Sequence, residues 1–177
     1  NCDVELACVI AVIVLGVGDG PYYCLIPVVR LAFNKKKPVV IRNPDAIRPW
    51  QHVMEPISGY LILAEKLFSE GSEYAEAWNF GPKDEDVKSV GEVVDYLVKK
   101  WPSAASWNVD QNEQPHEAQL LNLDISKAKI NLDWTPKWNL NTALDYVLEW
   151  QESWLEGLDM RSVTLSQITD YEKAMES

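Results

Sequence analysis

The chain has 177 residues, a formal charge of −11 and nearly half its residues apolar. It is long enough for one packed core burying roughly 70% of the unfolded surface. A balance this acidic excludes nucleic acid and anionic membranes as general partners. The three cysteines, Cys2, Cys8 and Cys24, fit neither a zinc pattern nor a disulfide framework, so reduced cytosolic thiols and no metal site are expected.

Residues 5–15, rich in valine and isoleucine, predict a strand buried on both faces, as in a parallel sheet flanked by helices. Ala7–Val17 is apolar but has only eleven residues, too few to cross about 30 Å of hydrocarbon. Asp3 and Glu5 stand where a signal peptide has its basic start. A strand of this kind cannot satisfy itself, so most of its sheet is expected outside this chain. The loop Gly16–Pro21 departs from the glycine spacing of a dinucleotide fingerprint, so no cofactor loop is expected here. Leu25–Asn34 predicts a helix with Pro27 in its first turn and Arg30 on its outer face. Pro38–Ile41 reads as a short strand.

Next comes Arg42–Pro56, where two arginines, an Asn-Pro turn, Trp50 and His52 fall together. Arginine presents a planar fork of donors that suits phosphate oxygens, and tryptophan offers a flat face for a base or sugar ring. Two readings stay open on this chemistry: a nucleotide-diphosphate site on a strand edge, or a solvated loop with a buried Trp anchor. Arg30, Arg42, Arg48 and Lys35–Lys37 lie in a segment whose only acid is Asp45, a focused positive patch in an acidic chain.

Glu55–Ser69 predicts a well-buried helix with Ile57, Tyr60, Leu61, Ala64, Leu67 and Phe68 in a broad apolar stripe, stopped by Gly71. Ala77–Phe80 reads as a strand, and Ser89 with Glu92 forms a capping box for a helix to Trp101. Tyr96 and Lys100 on that helix have the spacing of a dehydrogenase proton-transfer pair. They flank the buried stripe instead of facing a cleft, and the match is read as coincidental. Ser106–Val109 and Gln119–Leu123 read as strands. Asp124 or Ser126 starts a short helix, and Asn139 or Asn141 starts a long one with Trp150 and Trp154 in the core. Met160–Met175 is the last helix.

In this order RNPDAIRPWQHVMEP, YLILAEKL, WNFGPKDED, EQPHEA, LNLDISKAK, LDWTPKWNL and DMRSVTLSQI closely resemble the carboxy-terminal half of CDP-glucose 4,6-dehydratases, members of the extended short-chain dehydrogenase/reductase group. The resemblance implies an α/β fold. Residues 1–37 would be a remnant of a Rossmann-type parallel sheet, and residues 38–177 a small, mostly helical substrate-binding region with carboxy-terminal helices. It implies a cytoplasmic, homo-oligomeric lyase of carbohydrate biosynthesis, such as O-antigen production. That enzyme turns CDP-glucose into CDP-4-keto-6-deoxyglucose and water with bound NAD. In the family, NAD and the proton-transfer residues belong to the amino-terminal half. No cofactor site and no catalytic residue is therefore expected in this chain, which should be inert alone.

What the resemblance assigns to these residues is the substrate grip. Arg48, taken as a surface position, matches the arginine that reaches the diphosphate, with Trp50 beside it. Asn79 matches an asparagine near the same phosphates. Gln114, Pro115 and His116 match the loop over the nucleotide, although His116 also reads as an ordinary exposed loop histidine. Leu25 and Ile26 fall in a segment that matches Arg-Leu-Ile-Pro-Asp in the family, with both charges lost here. Ile13 stands where the family has an asparagine that touches the sugar. An alternative of another class is a non-catalytic nucleotide-sugar-binding or interaction domain that docks on a separate partner chain through its first strand.

Overall fold

The computed structural model describes residues 5–16, 24–101, 103–112 and 118–176, an α/β arrangement of short strands and helices. The amino-terminal apolar run forms two strands, β1 (Cys8–Ala11) and β2 (Val14–Leu15), instead of one. It breaks at Ile13, whose φ of 45° puts a β-branched residue in the left-handed region. The helix α1 (Leu25–Asn34) has the limits its periodicity predicts and buries Pro27, Val29 and Phe33. Arg30 is not on an outer face: its Nη1 donates to Gln151 Oε1 at 2.7 Å, and its guanidinium lies 5.2 Å from the Trp154 ring.

The strands β3 (Val39–Ile41), β4 (Ile47–Pro49) and β5 (Gln51–His52) lead into α2 (Met54–Glu70), which ends where Gly71 takes a φ of 69°. After β6 (Ala77–Phe80) and β7 (Val87–Ser89) comes α3 (Val90–Lys100). Its start is fixed reciprocally: the Ser89 hydroxyl accepts the Glu92 N–H, and the Glu92 carboxylate accepts the Ser89 N–H. The strand β8 (Trp107–Val109) precedes α4 (Ser126–Asn131) and α5 (Leu140–Leu155), and Asn139 caps α5 by accepting the Thr142 N–H. The last helix is α6 (Met160–Met175).

Among the described residues β1–β6, β2–β5 and β3–β8 are parallel pairs, and β4–β7 is antiparallel. The strand expected at Gln119–Leu123 is not formed. A single bridge, Ile47 to Leu120, ties that segment to β4. Two apolar clusters result. The first joins Val29 and Phe33 to Val39, Trp50, Val93, Leu97 and Leu144, and the second joins Leu63 to Trp78, Phe80, Leu132 and Trp134.

Three expected burials fail. Cys8, Val9 and Ile10 of β1 are exposed, because β6 is the only strand beside them among the described residues. On α2 the buried residues are Glu55, Pro56, Ser58, Gly59 and Leu63, while Ile57, Leu61, Ala64 and Phe68 face outward. Contact through Gly59 sets this rotation, since a Cβ there would lie 2.2 Å from the Phe80 ring. Trp154 is half-exposed, with the Arg30 guanidinium 5.2 Å from its ring.

Candidate functional site

A cleft of about 580 Å³ opens where α1, β2, β3 and β4 converge. Its floor and walls are apolar, from Leu15 on β2, Leu25 and Ile26 on α1, Ile41 on β3 and the Trp50 ring. Its polar lining comes from one short stretch, Arg42, Asn43 and Arg48. Among the described residues no Asp or Glu lines the cleft, although the chain carries −11 overall.

The turn that carries Arg42 and Asn43 is held by the start of α3. The Gly91 N–H donates to Pro44 O at 2.8 Å, and the Val90 N–H donates to Ala46 O. A Cβ on Gly91 would press to 3.3 Å from that Pro44 oxygen, so glycine suits the position. Arg48 is the central residue of β4, opposite Lys88 of β7. Pairing on β4 draws its side chain inward, so the expected surface arginine is 7% exposed and its Nη1 donates to Ile47 O at 2.8 Å. Trp50 is 4% exposed and spends its indole N–H on Lys88 O at 2.9 Å. Its ring is therefore a wall of the cleft and an anchor of the core at once.

Of the residues singled out from sequence, Arg48, Trp50, Leu25 and Ile26 meet around this cleft. Asn79 does not line it; on β6, its Nδ2 donates to Asp124 O at 3.0 Å. Gln114, Pro115 and His116 lie outside the described residues, as does most of the Gly16–Pro21 loop. Arg42 and Asn43 join the site from a signal already visible, an Arg-Asn-Pro turn directly after an apolar strand. Ile13 lines the cleft as well, with its left-handed backbone. Tyr96 and Lys100 lie away from it and both bond Asp145 of α5.

Beside the cleft sits a buried polar knot. Glu55 is fully buried and accepts from the Trp138 N–H at 2.7 Å, the Lys137 N–H at 3.0 Å and the Tyr171 hydroxyl at 2.7 Å. Burial raises the Glu55 carboxyl above its usual range, and these donors act against that rise. Burial also pushes the Tyr171 hydroxyl up, helped by the Glu55 charge. His52, fully buried against Trp138, is lowered to about 4 by burial and accepts the Met54 N–H through Nδ1.

Among the described residues no glycine lines the cleft. Nor does any group of His, Cys, Asp and Glu among them suit a metal ion. No helix among them is long and apolar enough to cross a membrane.

Fold and cleft together define the class. The chain has the α/β fold of the extended short-chain dehydrogenase/reductase epimerases and dehydratases. A Bacillus cereus UDP-glucuronic acid 4-epimerase in complex with UDP-glucuronic acid and NAD superposes with a TM-score of 0.62 at 22% identity, over 77% of this chain and 43% of that one. A Bacillus anthracis dTDP-glucose 4,6-dehydratase in complex with NAD gives 0.59 at 19% identity, over 79% and 44%. Identities this low speak to the fold alone, and no family model matches the sequence. The particular resemblance is to the CDP-glucose 4,6-dehydratase of Salmonella typhimurium LT2, 46% identical over 171 residues, which are 97% of this chain and 48% of that protein, its carboxy-terminal half. The chain thus spans about half the length of the curated relative it matches.

Proposed function

We propose that these residues form the nucleotide-sugar-binding portion of a CDP-glucose 4,6-dehydratase. This lyase would act in the cytoplasm on CDP-glucose, for carbohydrate biosynthesis such as O-antigen production. The single observation that carries the reading is the cleft's composition: in a chain of −11, the described residues that line it include two arginines and no carboxylate. A diphosphate brings negative charge that few other places on this surface would accept. Arg48, held in place on β4, and Arg42, exposed at the rim, would grip it by charge-assisted hydrogen bonds. Leu25, Ile26 and the Trp50 wall would pack the nucleoside. Gln114, Pro115 and His116 would close over it, and Asn79 would contribute only by releasing Asp124. In the intact enzyme bound NAD would supply the hydride chemistry. The residues here bind and orient substrate, so a polypeptide of these 177 residues is inactive on CDP-glucose by itself.

The test is a thermal-shift titration with CDP, alongside an assay for 4-keto product. A ligand at about a hundred times its Kd adds ~2.7 kcal/mol to stability. Arg48→Ala should abolish most of this shift, and because Arg48 is buried it should also lower the unliganded melting point. Arg42→Ala separates the two effects: it should weaken the CDP shift and leave the unliganded melting point in place. No CDP shift in the parent protein, or 4-keto product from the 177-residue chain, overturns the reading.

A further inference from the structure

The start of a helix leaves four backbone N–H groups without partners in its own turns, and such a start is a ready seat for an anion. At α3 all four are spent inside the protein. The Ser89 N–H donates to the Glu92 carboxylate at 2.9 Å, and the Glu92 N–H donates to Ser89 Oγ at 3.2 Å. The Val90 N–H donates to Ala46 O at 3.0 Å, and the Gly91 N–H donates to Pro44 O at 2.8 Å. The helix start is therefore a socket for the turn behind Arg42, with the carbonyls of that turn where an anion would otherwise sit. Strand β7, directly ahead of α3, holds the far end of the same turn. Ile47 lies opposite Ser89, Arg48 opposite Lys88, and the Trp50 indole donates to Lys88 O. Residues 87–92 thus hold Arg48 by strand pairing and the Arg42 turn by the helix start.

We infer that Gly91 is a positioning residue for the diphosphate grip: it seats the turn so that Arg42 and Arg48 act as a fixed pair, which selects a diphosphate over a monophosphate. The inference rests on the function proposed above and names what sets the selectivity of that site. Gly91 is buried in α3 and does not line the cleft. Alanine is the better helix former, and the described glycines with positive φ are Gly71 and Gly157, so neither propensity nor backbone angle calls for glycine here. Close approach does. A Cβ at Gly91 would stand 3.3 Å from Pro44 O and 3.4 Å from Pro44 Cβ. The Pro44 ring fixes its own φ, so a push on that residue is passed back to Asn43 and Arg42 instead of being absorbed at that angle. Forward relief is blocked, because Ala46 is 1% exposed and its N–H donates to Asn43 O at 3.3 Å. Two guanidiniums held at one separation can each meet a phosphate of a diphosphate, whereas a monophosphate gains little from the second.

The test is calorimetric titration of the 177-residue chain with CDP, CMP and inorganic pyrophosphate, in the parent, Gly91→Ala, Arg42→Ala and the double variant. The parent should bind CDP more tightly than CMP. Gly91→Ala should weaken CDP and pyrophosphate by roughly tenfold and CMP by less than about threefold. In the Arg42→Ala background it should change none of the three further, since it acts through that side chain. Equal losses for CDP and CMP, or losses that simply add to those of Arg42→Ala, would reduce Gly91 to a structural residue and overturn the inference. Should Gly91→Ala fold too poorly to titrate, amide exchange in the parent decides. Pyrophosphate should slow the Val90 and Gly91 amides, which touch no ligand, more than those of α6, and unchanged exchange at the two overturns the socket. The probes also keep the two ideas apart. CDP binding whose preference over CMP survives Gly91→Ala removes this inference alone. Pyrophosphate binding that depends on Arg42 and Gly91, without CDP binding, removes the proposed function alone. A parent that binds neither removes both.

Discussion

The cleft and the outward side of α2 are made of the same kinds of residue and meet opposite fates. Around the cleft Val29, Phe33, Val39 and Trp50 are 1–4% exposed, whereas Leu61 and Phe68 on α2 are 67% and 95% exposed. Periodicity reports which face of an element is apolar; it does not report what covers that face. Near the cleft the cover is present, because α1, α3 and α5 close over β3. On α2 the helix turns its Gly59 side to Phe80, and no other described element reaches the far side. Helix α2 therefore contains the contrast within one element, an inner face tied by polar bonds and an outer face tied by nothing.

The largest expected effect is on that inner face. Glu55→Ala strands three buried donors, the N–H groups of Lys137 and Trp138 and the Tyr171 hydroxyl. It should cost ~3–5 kcal/mol in urea denaturation, as loss of a buried charged partner does. Leu61→Glu, two turns away, should stay within about 0.5 kcal/mol in the same chain. Comparable losses from the two would erase the distinction between the faces.

A smaller effect is expected from His52, buried between the cleft core and α2. In the folded chain burial holds it down to about 4, against 6.5 when solvated. The unfolded chain therefore takes up the proton first. The stability His52 contributes is whole above about pH 6.5 and is lost as the pH falls from there toward 4. Relative to His52→Phe, which keeps a ring against Trp138, the parent should lose up to ~3 kcal/mol across this window. Parallel pH–stability curves for the two proteins would contradict this.

The smallest effect concerns the break between β1 and β2. Ile13 has a φ of 45°, where a β-branched side chain is strained and asparagine is tolerated. Ile13→Asn should raise stability by no more than ~1 kcal/mol, because relief of strain works against lost packing beside the Leu15 cluster. Destabilisation by several kcal/mol would mean that the side chain, not the backbone, defines this corner.

Much of this was legible in the sequence wherever a local rule had a local cause. The limits of α1, β6 and α6 and the Ser89–Glu92 cap agree with the structure, since periodicity and capping depend on near neighbours. Arg48, Trp50, Leu25 and Ile26, singled out in the sequence, all line the one cleft. What could not be read depends on distant parts of the chain. The Arg48 guanidinium is drawn inward because β7 pairs with β4, Asn79 is taken by Asp124, and Arg30 is taken by Gln151 and Trp154. The split of the first strand depends on a single backbone angle at Ile13, a residue whose type argues for continuing the strand.

The most direct measurement is hydrogen–deuterium exchange along the whole chain, with and without CDP. The amides of β3, β4 and α3 should exchange slowly, with CDP slowing the 40–50 segment further, while β1 and the outer turns of α2 exchange fast and ignore CDP. Protection centred on β1, or a CDP footprint away from the Arg42–Arg48 stretch, would contradict the division between a complete cleft and an open edge.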